Sequence, residues 1–483
     1  MAGSACIAPS SLIVPNNGRM PERFDVIVVG GGSAGCVLAA RLSEDPGRTV
    51  CVVEAGPDYG RYEEGRWPAD MLDARTLPMS HLWETQPDDR SASRARIVGG
   101  CSAHNACLVV WGSRDDYDEW GDEWTYAELE PYLRRAEASI RTRTDRTDDL
   151  SPFHRALLEA GPRVGLPRLE DLNDLDATVG IAPAPVNALG TVRWNTAFAF
   201  LDDARSRPNL TIVAETLVDR IETATGRGAL GVVSDSGRLT ADTVIVAAGA
   251  YGSPAVLLRS GIGPHAQLSR LGVGVIEDLP VGVGLADHPG VGIEWSPAPA
   301  HVPQQRPVFA TSLLVRAQSN SCPKDTWDIH FLPWLEEADE RWQTSAVVYL
   351  LKPDSRGSVT LRSPDPRVPP AIDHGFLSDP HDLDRLSSGV ALIRTLAEQA
   401  GCGRELRPGD HDSLDTYLRR EVRGIFHPTG TCAIGAVVDT RGAVLGVDGL
   451  FVADASIMPS IPRANTNLST IAVAERIADW LSA

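Results

Sequence analysis

Residues 24–54 limit what this chain can fold into more than any other stretch. Phe24 to Val29 reads FDVIVV, a short run of apolar, mostly β-branched residues that predicts a buried strand. Gly30-Gly31-Gly32 follows, and Ser33 to Leu42 then takes up a helical pattern. Thr49 to Val53 (TVCVV) predicts a second strand, ending at Glu54. The result is a βαβ unit whose turn carries GxGxxG at Gly30, Gly32 and Gly35. The first glycine permits the tight turn, the second lets backbone approach a pyrophosphate, and the third allows close helix–strand packing. The helix beginning at Ser33 offers free N–H groups and a partial positive charge to phosphate. Glu54 lies about 20 residues past the motif, where a carboxylate can accept hydrogen bonds from ribose hydroxyls. The bland alternative is a glycine-rich structural turn with Glu54 merely exposed, and the motif alone does not separate FAD from NAD.

The rest of the chain reads as α/β around this unit. Helical spacing recurs at 126–138, 155–164, 253–260, 384–399 and 470–481, and strand patterns at 210–213, 231–233, 243–247 and 451–454. Residues 305–370 alternate in the manner of an antiparallel sheet. The nucleotide site therefore draws on both ends of the chain, with a different kind of sheet between them. Residues 1–23 read as a disordered leader.

Composition excludes several classes. The net charge of −19 opposes nucleic acid and anionic membrane surfaces, both of which need a basic face. No apolar run approaches the ~18 residues of a membrane span. The N-terminus lacks a basic region ahead of an apolar one, which points to the cytoplasm. The eight cysteines form no CxxC pair and no metal-ligand spacing, so no metal is expected. Buried free thiols are the simplest account, with Cys36, Cys51, Cys101, Cys107 and Cys432 in core or motif segments.

Several separated segments carry a resemblance. Residues 96–120 read RIVGGCSAHNACLVVWGSRDDYDEW, 252–264 read GSPAVLLRSGIGP, and 279–289 read LPVGVGLADHP. Residues 351–387 and the run 427–475, which opens HPTGTC and includes ADASIMPSIPRANTN, complete the set in order. The chain resembles the glucose–methanol–choline (GMC) oxidoreductase family across most of residues 24–481. The resemblance implies a Rossmann-like FAD-binding domain built from 24–145, 201–290 and 425–483. It implies a second α+β substrate domain, built on an antiparallel sheet, from 146–200 and 291–424. It selects FAD, and adds Gly100, Ser102, His104, Asn105, Ala106, Val218, Asp454, Ala455 and Asn467 to the cofactor contacts.

The activity so implied is oxidation of a primary or activated alcohol on a small polar molecule, such as a sugar or amino sugar, to an aldehyde. Hydride would go to flavin N5, and electrons would then pass to oxygen or another acceptor. Such chemistry needs a base for the hydroxyl proton and a donor that holds the oxygen. His427 matches the family's catalytic histidine, and imidazole suits proton removal near neutral pH. Asn465 matches the position beside that histidine. Asn467 is its rival, and both asparagines could instead cap the helix expected near Thr470. Asp454 would approach the flavin's ribityl or phosphate region, or cap its own turn.

His104 departs from much of the family and is similar to choline oxidase, where the matching histidine is bonded to the flavin 8α-methyl. Covalent attachment and non-covalent packing against the isoalloxazine edge are both open. Ala106 and Phe426 depart from choline oxidase, and no aromatic cage for a quaternary ammonium is evident, so choline is not the expected substrate. His330, Trp334, Glu336 and Glu337 either line the substrate pocket or serve packing and surface. The competing reading is a hydroxynitrile-lyase type of enzyme, which keeps the histidine base but leaves FAD oxidised.

Overall fold

A computed structural model describes residues 23–84, 93–144, 150–223, 228–303, 311–338, 341–409 and 413–483. The leader expected at 1–23 lies outside these except for Arg23. Two sheets organise the chain.

The first has seven described strands. Phe24–Val29 lies at its centre, flanked in parallel by Val50–Val53 and Gly237–Val246. Leu210–Val213 extends the parallel part on one side, and Leu450–Val452 joins Gly237–Val246 on the other. The other half of the long Gly237–Val246 strand turns back through Ala229–Ser234 and Val218–Thr223 as an antiparallel ribbon. Buried on both faces, the parallel strands carry unbroken Val/Ile runs rather than alternation. Ser33–Leu42 and the C-terminal helix Thr466–Ser482 pack side by side on this sheet. The fully buried Glu475 binds Arg41 at 2.7 Å and Arg135 at 2.7 Å, tying both helices to Tyr126–Ser139.

The second sheet also has seven described strands, all antiparallel. Its order is Glu405–Arg407, Pro289–Trp295, Arg341–Leu350, Ile329–Ala338, Leu313–Ala317, Gly180–Pro183, with Arg423–Gly424 paired to the start of Pro289–Trp295. One face, carrying Phe331, Val348 and Leu350, is sealed by the helix Pro380–Gln399. The opposite face presents Ala182, Leu314, Leu332 and Tyr349 towards Cys107, Leu108, Val110 and Ala464. The segments containing Ala106 and Asn465 thus border this second face.

Some expectations shift. The last helix begins at Thr466, four residues before the expected start, because Asn465 occupies its N-cap. The helix expected from Ser253 begins at Gly249, whose φ of +80° lets it enter directly from the strand. Cys101, expected as a buried thiol within a motif or core segment, is exposed. Trp194 to Phe200, within the 146–200 segment given from sequence to the substrate side, contribute Trp194, Ala197, Phe198 and Phe200 to the core of the first sheet, where Phe198 packs against Trp67 and Trp194.

Candidate active site

The glycine turn is shaped by backbone contact. Gly30 has a φ of +98°, and a Cβ at Gly35 would lie 1.9 Å from the Gly30 carbonyl oxygen. Gly32 caps the Ser33–Leu42 helix with no side-chain hydrogen bond, so no side chain satisfies the first-turn N–H groups from that position. The loop at Gly99-Gly100 closes onto this turn. The Gly99 N–H donates to the Gly31 carbonyl at 2.7 Å, and a Cβ on Gly100 would lie 2.6 Å from Gly32 Cα. The Glu54 carboxylate accepts from Gly31 N–H and Gly56 N–H, both at 2.8 Å, and burial raises its pKa. A bare helix N-terminus, a side-chain-free cradle and a buried carboxylate fit the pyrophosphate and ribose of FAD.

The remaining expected cofactor residues divide. Ser33 Oγ donates to Asn467 Oδ1 at 2.9 Å, which joins the two helix N-termini at the glycine turn. Ser102 is fully buried; its hydroxyl donates to Gly99 O at 2.6 Å and accepts from Thr196 N–H at 3.0 Å, so it holds the loop. Asn105 Oδ1 accepts from Cys107 N–H at 3.0 Å. Both Asp454 oxygens are engaged by protein donors: Ser456 N–H at 2.8 Å on one, Gly249 N–H at 2.8 Å and Ser253 Oγ at 2.5 Å on the other. That is the capping alternative, with Ala455 opening the short helical turn it caps. Val218 is buried at the start of its strand, and Ala106 borders the second face of the antiparallel sheet. His104 ends the Gly100–Ala103 turn; its Nε2 is buried with no partner among the described residues, and desolvation lowers its pKa to about 4.

Two residues before Asn467 on the same helix start, Asn465 meets His427. Asn465 Nδ2 lies 3.0 Å from His427 Nε2. Although Asn465 is the N-cap, its side chain makes no capping bond, so the amide is committed to the histidine. Its Oδ1 is buried and without a partner among the described residues. His427 is 8% exposed, and burial, then His288 and Arg94, hold its pKa well below the usual imidazole value. The ring is therefore neutral at physiological pH, with a lone pair free to accept a proton.

The loop presenting His427 is anchored by a residue the sequence reading passed over. Asp287 Oδ1 accepts from His427 N–H at 2.9 Å and from its neighbour His288 N–H at 2.8 Å. Gly424 lies against it: a Cβ there would meet Asp287 Oδ2 at 2.6 Å. Phe426, immediately before His427, takes a φ of +64°, in the left-handed region uncommon for a non-glycine residue. The buried His288 puts Nδ1 at 3.0 Å from His427 Nδ1. Tyr349 sits among three imidazoles, with ring centroids 5.5 Å from His330, 6.1 Å from His288 and 6.5 Å from His427.

His330 is fully buried on the second face of the antiparallel sheet, and its Nε2 has no partner among the described residues. Trp334, on the same face, is half-buried, whereas Glu336 is exposed and Glu337 lies on the alternate register. Asp287 and His288 stood within the quoted LADHP segment, but only tertiary pairing of 286–288 with 425–429 reveals their use. No group of three or more potential metal ligands occurs among the described residues, and no described helix is long and apolar enough to cross a membrane.

Family models described as GMC oxidoreductase match residues 24–290 and 353–474. The oxygen-dependent choline dehydrogenase of Burkholderia pseudomallei strain 1710b is 34% identical, over 95% of this chain and 93% of its own. The crystal structure of pyridoxine 4-oxidase from Mesorbium loti is 30% identical with a TM-score of 0.84, over 95% of this chain and 99% of that one. Formate oxidase of Aspergillus oryzae, whose FAD is described as modified, is 25% identical with a TM-score of 0.83 over 95% and 98%.

Proposed function

We propose, from the premise that this chain belongs to the GMC oxidoreductase family, that it is an FAD-dependent alcohol oxidoreductase using His427 as the base. The observation that carries the assignment is the part-buried His427–Asn465 contact at 3.0 Å, on the helix whose start also meets the cradle that fits FAD. When bound, FAD supplies the acceptor for the hydride of the alcohol carbon. His427 Nε2 takes the hydroxyl proton, and Asn465 holds the oxygen while negative charge grows on it. The burial of His427 leaves little room for water at its ring, which strengthens those contacts. The glycine turn with Ser33 and Asn467 would hold the pyrophosphate side, and Glu54 the ribose. His104 Nε2, neutral and unpartnered, is the point through which we propose the flavin is held covalently.

The substrate we favour is an uncharged hydroxymethyl group on a small aromatic or heteroaromatic ring. The second face of the sheet carries half-buried Trp334 for a flat apolar body, and His330 Nε2, buried and without a partner among the described residues, for one polar substituent. A quaternary ammonium needs several open aromatic faces. Here Arg316 already covers Trp327 at 4.2 Å, and Tyr349 is enclosed by imidazoles.

The test is flavin absorbance during anaerobic additions of pyridoxine, benzyl alcohol, glycerol and choline. Bleaching by the ring-bearing alcohols and not by choline is expected; bleaching by choline alone would overturn the substrate class. Admitting air then separates an oxidase from a dehydrogenase. The His427→Gln holoenzyme should bleach at least about 100-fold more slowly. Acid precipitation should leave the flavin in the protein pellet, and release into the supernatant would remove the role given to His104.

A further inference from the structure

We infer that His288 is a positioning residue that fixes the tautomer of His427, so that the bare nitrogen of the base is Nε2. The inference rests on the reading of His427 as the base and follows a chain of contacts. His288 Nε2 lies 3.2 Å from the Pro462 carbonyl oxygen, which can only accept, so that nitrogen carries a proton. The ring is completely buried, which holds it neutral, its pKa lowered to about 3, so a single ring proton remains and Nδ1 is a bare acceptor. His427 Nδ1 stands 3.0 Å from that acceptor and must donate to it. His427 is neutral for the same reason, so its Nε2 is bare, and that nitrogen faces the Asn465 Nδ2 donor at 3.0 Å.

Each link has one donor and one acceptor, running from Asn465 through His427 and His288 to Pro462. Reversing either ring would set two N–H groups or two lone pairs against each other at 3.0 Å. Proton uptake at His427 Nε2 leaves the Nδ1–H bond to His288 in place, now charge-assisted and stronger. The chain ends on a carbonyl, which does not pass a proton on, so His288 orients the base and stabilises its protonated form without relaying.

Its backbone is held independently of its ring, since His288 N–H donates to Asp287 and its carbonyl accepts from Ile425 N–H at 3.1 Å. Substitution of the ring therefore leaves the loop anchored. The experiment uses holoenzyme labelled with ¹⁵N-histidine, with His427 resonances identified by their loss in His427→Gln. Wild type should show Nδ1 protonated and Nε2 bare. In His288→Leu the signal should shift to the Nε2–H form or a mixture. Flavin reduction by whichever panel alcohol bleaches the wild type should fall about 100-fold, with the bound-flavin spectrum unchanged. His288→Asn, which can return an acceptor oxygen towards His427, should recover to within about tenfold of wild type.

An Nε2–H tautomer in wild type would overturn the inference, as would wild-type reduction by His288→Leu. If His427→Gln itself reduces flavin normally, the assignment of the base fails instead, and the two failures are told apart. If His288→Leu does not fold, the wild-type tautomer and the His288→Asn rate decide alone.

Discussion

The glycine cradle and the histidine cluster are joined through the start of the last helix, where Asn467 meets Ser33 and Asn465 meets His427, yet they are built on opposite principles. In the cradle, function lies in what side chains do not occupy: Gly30, Gly32, Gly35 and Gly100 bring backbone within reach of backbone and leave a helix terminus open. In the cluster, function lies in side chains whose ionisation is suppressed by burial: His288, His330, His427 and Tyr349 come from four separate segments. One part is specified by adjacent residues and held by sterics. The other is specified by tertiary pairing and held by hydrogen bonds in a low dielectric. Each should fail in its own way.

Acid gives the largest separation. The buried His154, His288, His330 and His427 all have pKa values lowered by desolvation, so the unfolded chain binds more protons than the folded one below its ordinary imidazole pKa of 6.5. Their contribution to stability is present above pH 6.5 and is lost as pH falls through the interval down to the folded values. From pH 6.5 to 5.5 the unfolded imidazoles go from half to mostly protonated, which costs about 1 kcal/mol per group and about 4 kcal/mol for four, a large part of an ordinary folding free energy. Asp287 works in the opposite sense: burial raises its pKa to about 6, so its charge costs stability as pH rises through that value. The net expectation is a melting temperature that drops steeply from pH 6.5 to 5. Differential scanning calorimetry across that range checks it, and a flat profile would mean these rings are hydrated.

This contrast also explains what was legible in the sequence. Gly30 to Glu54 was readable because strand, turn, helix and acid fall within one local stretch. The extents of Ser33–Leu42 and Leu210–Val213 came directly from periodicity. His427 and Asn465 were reached through family resemblance, and their contact across 38 residues was not a periodicity signal. Asp287 and His288 were invisible as functional groups because their partners lie about 140 residues away. Asn465 was weighed as a cap, and it does occupy the cap position; only the fold shows its amide turned to the histidine instead. Asp454 was weighed as a cap too, and both of its oxygens accept from the protein's own donors at the turn it caps.

A methyl group placed in the cradle should break binding without touching the histidines. Gly100→Ala puts a Cβ 2.6 Å from Gly32 Cα at a residue with φ of +52°. Both obstacles are backbone, so neither is relieved by a rotamer change. A cost of about 3 kcal/mol is expected, equivalent to about 100-fold in FAD affinity. Flavin content per protein after purification measures it, and a normally loaded variant would show that the Gly99-Gly100 loop can retreat from the turn.

The mirror experiment places the same single methyl group behind the histidines. Gly424→Ala would set a Cβ 2.6 Å from Asp287 Oδ2 and 3.1 Å from the Phe376 ring. Here the obstacle is a side-chain carboxylate, which can rotate, so the chain should fold and load FAD normally. Rotation moves Oδ1, however, and Oδ1 anchors the amides of both His288 and His427. A displacement of a few tenths of an ångström in the base weakens its alignment with the hydroxyl, and a loss of about tenfold in the flavin reduction rate, near 1.4 kcal/mol, is expected. Stopped-flow absorbance with a saturating alcohol measures that rate directly. Loss of flavin in this variant, rather than loss of rate, would mean that the histidine side also bears the cofactor and that the two parts of the site are not independent.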